Sequence, residues 1–401
     1  MFVNAINFAP FVGVGAQNSK PKIHFKGNAS TDSFEFSKSD IPKRKEILDT
    51  VDKSKPFSEA GLKGVVYKYK KGDKNYAVKM SKIKDFKFER EAEVLKKVPS
   101  NINSQQYVDY FQHPKTGCDV LVSTFVEGKK GILKNSDDFD KFFDKILELD
   151  KAEVLHGDLN MQNCLFDKNN DVRLIDFGEG ETFKTGDTYE DFIYPDFVLK
   201  SNVVNLEHNG IPDCIKSWEK EGADVKKSFS EYLTSKGKYY KNHAGFLKDN
   251  APHLKEAIKY EENYAQVLEN PSDEVIENEI RRIDCLHTFE DADTAVNYKN
   301  IPSAAKRNWT MAKDKAKSEV QFIDETLKKP DISSCEKEYF ENQKEIANMF
   351  QTQFSSWGSS TIKWLNGLHN KKDPSDLEKR LLNNEDKTMP PPVNLVKIVM
   401  K

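Results

Sequence analysis

The spacing of apolar residues changes several times along the chain, and each change marks an expected element. Residues 1 to about 50 hold no sustained period. Gly, Asn, Ser and Lys dominate residues 13–43, which predicts a disordered arm ending in a short helix near 42–51. Val65-Val66-Tyr67-Lys68-Tyr69 and Tyr76-Ala77-Val78-Lys79-Met80 then read as two strands around a turn at 70–75. In residues 86–98, Phe88, Ala92, Leu95 and Val98 recur at helical spacing until Pro99 stops them. Residues 107–111 and 119–126 predict two more strands around a turn at 113–117, completing a small antiparallel sheet. Phe139, Phe142, Phe143, Ile146 and Leu147 give residues 137–149 one apolar side, the mark of an amphipathic helix. Cys164-Leu165-Phe166, the polar run 167–171 and the apolar run 172–175 predict a hairpin. Residues 188–200, with Tyr189, Phe192, Ile193 and Phe197 recurring around Pro195, suggest a short helix.

Beyond residue 202 the pattern is helical. Residues 225–233, 254–268, 273–289, 303–328 and 335–354 read as helices separated by Gly, Pro and Asn/Ser breaks. Trp309, Phe322, Tyr339, Phe340, Phe350, Phe354, Trp357 and Trp364 supply core for them. Met389 and the three prolines after it open a linker-like tail. There is no internal repeat.

Composition narrows the class of protein. In 401 residues the formal net charge is −3, and charged residues make up 32% with both signs interspersed. A dedicated nucleic-acid binder would carry a basic excess, so none is expected as partner. Mean hydropathy is −0.72, and no run approaches the ~18 apolar residues of a membrane span. The five cysteines (Cys118, Cys164, Cys214, Cys285, Cys335) are scattered without C-x-x-C spacing, which predicts free thiols and no zinc site. The apolar N-terminus has no Lys or Arg before it and makes a poor secretory signal. The expected location is cytoplasmic, with another export route, and hence a secreted effector role, left open.

The chemistry concentrates in V-L-H-G-D-L-N-M-Q-N-C-L-F-D-K-N-N-D-V-R-L-I-D-F-G-E-G, residues 154–180. The predicted hairpin brings the loop at Asp158 to Asn163 and the loop at Asp176 to one end of two paired strands. Moving a γ-phosphoryl group to a hydroxyl passes through a state rich in negative charge. It asks for one carboxylate to orient and deprotonate the hydroxyl, and for a second carboxylate with an amide oxygen to hold Mg²⁺ on the phosphates. Asp158 suits the first task; Asp176 and Asn163 suit the second, because Mg²⁺ prefers hard oxygen ligands and keeps several waters. Upstream, Gly61 and Gly64 let backbone N–H groups approach a phosphate without interference from Cβ.

These motifs resemble the catalytic loop (H-R-D-L-x-x-x-N) and D-F-G segment of the protein-kinase-like superfamily. Gly157 replaces the Arg, which makes H-G-D-L more similar to the atypical branches: aminoglycoside and choline phosphotransferases, lipopolysaccharide kinases, and RIO-type and small archaeal-type kinases. Against the family's G-x-G-x-x-G-x-V, Gly61, Gly64 and Val66 match, while Glu59 stands at the first Gly. Ala77-Val78-Lys79 resembles the V-A-I-K strand, so Lys79 is implied to hold phosphates. Glu91 is implied as its partner, with Glu89 and Glu93 as alternatives. Ser123-Thr124-Phe125-Val126-Glu127-Gly128 resembles the inter-lobe hinge whose backbone binds adenine. The small Ser123 at the position controlling pocket depth implies an open space behind the base. His156 is expected to support the loop rather than act as base, and Asp187 or Asp191 to buttress it. The A-P-E motif that closes a conventional activation segment is absent, and no residue among Thr182, Thr185, Thr188 and Tyr189 is marked as a switch.

The resemblance covers residues 55–200 and implies an α+β, bilobal protein-kinase-like fold. The expected parts are an arm (1–50), a small-sheet lobe (51–127), a helical lobe (128–240), further helices that enlarge that lobe or form an appended bundle (241–385) and a tail (386–401). The implied activity is ATP- and Mg²⁺-dependent phosphotransfer to a hydroxyl. An atypical Ser/Thr protein kinase is the first expectation, a small-molecule (aminoglycoside, sugar or lipid-sugar) phosphotransferase the alternative, and a nucleotide-binding pseudokinase module the third.

Overall fold

A computed structural model describes residues 43–51, 55–58, 64–82, 86–183, 201–294, 301–374 and 394–401. Residues 1–42 of the expected arm, Gly61, the expected helix at 188–200 and most of the proline-bearing tail lie outside the described residues. What is described is an α+β protein with a small antiparallel sheet and many helices.

Strands β1 (Gly64–Lys71), β2 (Lys74–Ser81), β3 (Tyr107–Gln112) and β4 (Asp119–Thr124) form an antiparallel sheet in the order β1-β2-β4-β3. The β1–β2 turn is tighter than the pattern suggested. Ladder pairing runs out to Lys71↔Lys74, leaving Gly72-Asp73 as the connection, with Gly72 at φ 58. Alternation sends Tyr76 and Val78 of β2 to one side, where they pack with Val120, Val122 and Phe111. Helix α1 (Arg44–Val51) joins that cluster through Ile47 and Val51, and Arg44 is fastened to Asp109 at 2.8 Å. Helix α2 (Glu89–Lys97) packs Ala92 and Leu95, with Phe88 at its N-cap, into a second cluster that includes Leu121.

After β4 the chain makes a two-residue strand β5 (Lys129–Lys130) and helix α3 (Ser136–Lys151), capped by Asn135 accepting from the Asp138 N–H. As the spacing predicted, α3 buries Phe139, Phe142, Phe143, Ile146 and Leu147. Strand β6 (Val154–Leu155) leads to the loop at Asp158. Strands β7 (Cys164–Phe166) and β8 (Val172–Leu174) form the predicted hairpin, and β5 pairs with β7 on its far side. The turn is braced by Asp167, whose carboxylate accepts from the Asn169 and Asp171 N–H groups. Strand β9 (Glu181–Thr182) returns to pair with β6.

The helical remainder comprises α4 (Asn202–Asn209), α5 (Ile211–Glu221), α6 (Val225–Asn250), α7 (Lys255–Glu269), α8 (Asp273–Thr294), α9 (Ile301–Thr326), α10 (Ser334–His369) and α11 (Leu395–Val399). Neither α4 nor α5 was expected. Helix α6 runs well beyond residue 233, through Gly237. A Cβ there would come 3.0 Å from the Cβ of Leu268 in α7, so this glycine permits a close helix crossing and packing overrides its poor helix propensity. Tyr339, Phe340, Phe350 and Trp309 are buried as anticipated. The tail closes as α11, with the Leu395 N–H on Asp284 Oδ1 at 3.0 Å. No described helix is long and apolar enough to cross a membrane. The five cysteines are free thiols.

Candidate active site

Strand β2 brings Lys79 to the sheet side facing α2. There the ammonium reaches both carboxylate oxygens of Glu91 (3.0 and 2.8 Å) and Oδ1 of Asp176 (2.8 Å). Burial works against the charge, but Asp176 and Glu91 outweigh it and hold the lysine above its ordinary range. Of the three glutamates considered on α2, Glu91 is the buried one; Glu89 and Glu93 are exposed, and Glu93 pairs with Lys96. A Cβ on Gly178 would stand 3.1 Å from Asp176 Oδ1 and 3.3 Å from Lys79 Nζ, so the glycine leaves room for this ion triad.

The hairpin register sets the rest. Cys164 pairs with Leu174, and the Ile175 N–H donates to Asn163 O at 3.0 Å, so Asn163 and Asp176 lie side by side at one strand end. Asn163 Nδ2 donates to the Asp158 carbonyl and to Asp158 Oδ2, both at 2.9 Å, and Asn160 Nδ2 donates to Oδ1 at 2.7 Å. Asp158, 6% exposed, is thus oriented by two amides. His156 is fully buried: its Nδ1 accepts from the Asp158 N–H at 3.3 Å and its Nε2 meets Ile175 O at 3.1 Å. The neutral ring with hydrogen on Nε2 satisfies both contacts, and burial lowers its pKa in the same sense. The ring lies 4.4 Å from that of Phe177, itself fully buried.

Gly157 has φ +80, and a Cβ there would fall 2.1 Å from Glu179 O. The chain following Gly178 therefore packs directly on the backbone of the loop at Asp158, which leaves no place for the Arg of H-R-D. Arg90 of α2 holds that segment instead, through Gly180 O (2.8 Å) and Glu181 (2.6 Å).

The expected phosphate and adenine residues are distributed along the sheet. Gly64 pairs with Ser81; a Cβ there would meet Met80 O and Phe88 at 2.9 Å, which gives this glycine a packing reason. Val66 pairs with Lys79, and Ala77 with Lys68 and Ser123. Thr124 Oγ1 accepts from the Gln106 N–H, and the Phe125 N–H donates to Asn75 O at 3.1 Å. Val126 lies just past the end of β4. Ser123 is buried but does not face an empty space, because the Gln105 carboxamide donates to its hydroxyl at 2.7 Å.

Several supporting residues were not foreseen. Asn202 Oδ1 accepts from the His156 N–H (2.9 Å), while its Nδ2 donates to Val154 O and Asp150 Oδ1, both at 2.8 Å. Asn205 Oδ1 accepts from the Leu159 N–H. Asp187 and Asp191, expected as buttresses, lie outside the described residues; among those described, these two asparagines brace the loop. Their signal was the N-x-x-N spacing after the Ser201 cap. Burial pushes the Asp150 carboxyl up to about 6 although Tyr239 and Asn202 both donate to it.

One cation is thus paired with two carboxylates beside a third, amide-oriented carboxylate. Such a site can neutralise phosphate charge, present hard oxygen donors and accept a proton. Compared with known proteins, the chain matches no family model and no curated protein.

Proposed function

We propose that the chain is an ATP- and Mg²⁺-dependent phosphotransferase with a bilobal protein-kinase-like fold, and that its acceptor is a hydroxyl. The observation that carries this reading is Lys79 held between Glu91 and Asp176 at the strand end that also presents Asn163 and Asp158. The resemblance of H-G-D-L-x-x-x-N and D-F-G supports it independently.

The donor set fits Mg²⁺. Asn163 commits its nitrogen to Asp158, leaving its amide oxygen for a cation, and the Asp176 carboxylate is half exposed. Bound there, Mg²⁺ would neutralise charge on the phosphates. Lys79 keeps two contacts on Glu91 and shares a third with Asp176; that third donor is the one a phosphate takes over. Asp158 orients the acceptor hydroxyl and takes its proton as the new P–O bond forms and the bond to the ADP oxygen breaks. The backbone of Ser123 to Val126 meets the adenine edge. Because the Phe125 N–H is already bonded to Asn75, this contact falls on the other groups of the segment. Gly61 and Gly64 cover the phosphates, flanked by Val66 and Ala77.

The acceptor read first is a protein Ser or Thr, with a small-molecule hydroxyl as the alternative. The test is incubation of purified protein with Mg²⁺, γ-labelled ATP and a protein lysate, beside Asp158→Asn and Asp176→Ala. Asp158→Asn is expected to lower transfer by about 10²–10⁴-fold while nucleotide binding persists. Asp176→Ala should abolish Mg²⁺-dependent turnover with the fold intact. Normal turnover in either variant removes that residue's assignment. Label on protein supports the kinase reading, and nucleotide binding without protein label supports the small-molecule one. No nucleotide binding at all sinks both.

A further inference from the structure

Gln105 precedes β3 and touches three parts of the site. Its backbone N–H donates to Leu174 O at the end of β8 (3.0 Å). Its side-chain Oε1 accepts from the Asp176 N–H (2.8 Å), and its Nε2 donates to Ser123 Oγ (2.7 Å). The orientation of this amide is forced, since a backbone N–H can only donate and must face the oxygen. The nitrogen therefore faces Ser123.

Asp176 needs such a hold. It sits at φ 62, in the left-handed region that a residue with a Cβ adopts only when its surroundings insist. Its side chain is half exposed and reaches Lys79 through one oxygen. The direction of that carboxylate is set by the backbone beneath it. That backbone is anchored on one side by the Ile175 N–H on Asn163 O, and at the residue itself by Gln105.

Resting on the phosphotransfer reading, we infer that Gln105 is a positioning residue for the metal-binding carboxylate. It holds Asp176 in the left-handed conformation that turns its side chain to Lys79 and Mg²⁺, and Ser123 pins the carboxamide that does so. One side chain thereby links the rear of the nucleobase site to the metal site. Ser123 serves as an anchor, and its small size makes room for Gln105.

The experiment measures ATP affinity by calorimetry in EDTA and in Mg²⁺, and takes the ratio as the tightening due to the metal. The proteins are the full chain, Gln105→Met (similar length, no polar groups) and Gln105→Glu. The glutamate keeps an acceptor for the Asp176 N–H and can accept from the Ser123 hydroxyl. Gln105→Met is expected to cut the tightening about tenfold, the size of one lost hydrogen bond, with affinity in EDTA within about twofold of the parent. Gln105→Glu is expected to stay within about threefold of the parent ratio. An unchanged ratio in Gln105→Met, an equal loss in EDTA, or equal losses in the two variants would each overturn the inference while leaving the phosphotransfer reading in place. A parent chain whose ATP affinity ignores Mg²⁺ would overturn both. Should Gln105→Met not fold, Ser123→Ala unpins the carboxamide without touching the Asp176 bond; a drop of about threefold supports the inference and no drop overturns it.

Discussion

A methyl group on Gly157 would stand 2.1 Å from Glu179 O, at a backbone angle that side chains rarely tolerate. Gly157→Ala should therefore cost about 2 kcal/mol or more, read as a lowered urea midpoint. Transfer should fall at least about tenfold, because Asp158 is the next residue and its placement shifts. A variant as stable and active as the parent would mean that the segment after Gly178 does not rest on this loop. At this scale much of the candidate site was legible. Lys79, Asp158, Asn163 and Asp176 announce themselves by type and spacing, and the structure brings them to one strand end. Gln105 and Arg90 did not, since each works by reaching residues distant in sequence: Gln105 to Asp176, and Arg90 to Gly180 and Glu181. Nothing in the sequence near an isolated Gln or Arg registers such a partner.

Helix α4 is the element on which the loop leans. Asn202→Ala would strip an acceptor from the His156 N–H and a donor from Val154 O, and leave the buried Asp150 carboxyl with Tyr239 as its remaining described donor. The expected cost is about 2–4 kcal/mol in chemical denaturation; a loss below about 0.5 kcal/mol would show that the contacts are dispensable. The same helix explains where reading elements from pattern failed. Hairpin β7–β8 and helix α3 carry their own periodicity. In α4 every residue from Asn202 to His208 is buried, with Asn202, Asn205 and Glu207 set against polar partners, so no apolar stripe stands out against a wet face. Helix α6 was underestimated for a related reason: Gly237 reads as a break until Leu268 is seen lying against it.

Across the whole molecule, charge is carried deep into the helical region. Lys236 meets Glu207 at 2.6 Å and Glu279 at 2.7 Å, Arg282 reaches both carboxylates, and Tyr232, Tyr264 and Tyr339 donate to them. Burial opposes ionisation of Glu279, yet Lys236 and Arg282 hold its carboxyl well below the ordinary range. Glu319 is buried too, without a described partner for its Oε2, and burial pushes it up to about 8. Unfolded, that carboxyl ionises near its ordinary 4.5. Between those values the folded chain binds the extra proton, so stability falls as pH rises, by about 1.4 kcal/mol per pH unit from this group. Glu319→Gln should flatten that slope over about pH 5–8 without loss of stability at neutral pH, as read from urea midpoints; an unaltered slope would assign it to other groups. Sequence pattern reveals these helices but not their buried charges, because a Glu on a charged helix reads as solvated until its partners are placed. The cluster also ties distant elements together. Glu207 shares α4 with the asparagines that steady the loop at Asp158, and its counter-charges belong to α6 and α8. Removing α8 would take Arg282 and Glu279 away together and leave Lys236 and Glu207 as one buried pair without the other two charges around it. The distal helices and the loop at Asp158 thus meet through α4 in one charged core, and a change in α8 is expected to reach that loop by this route.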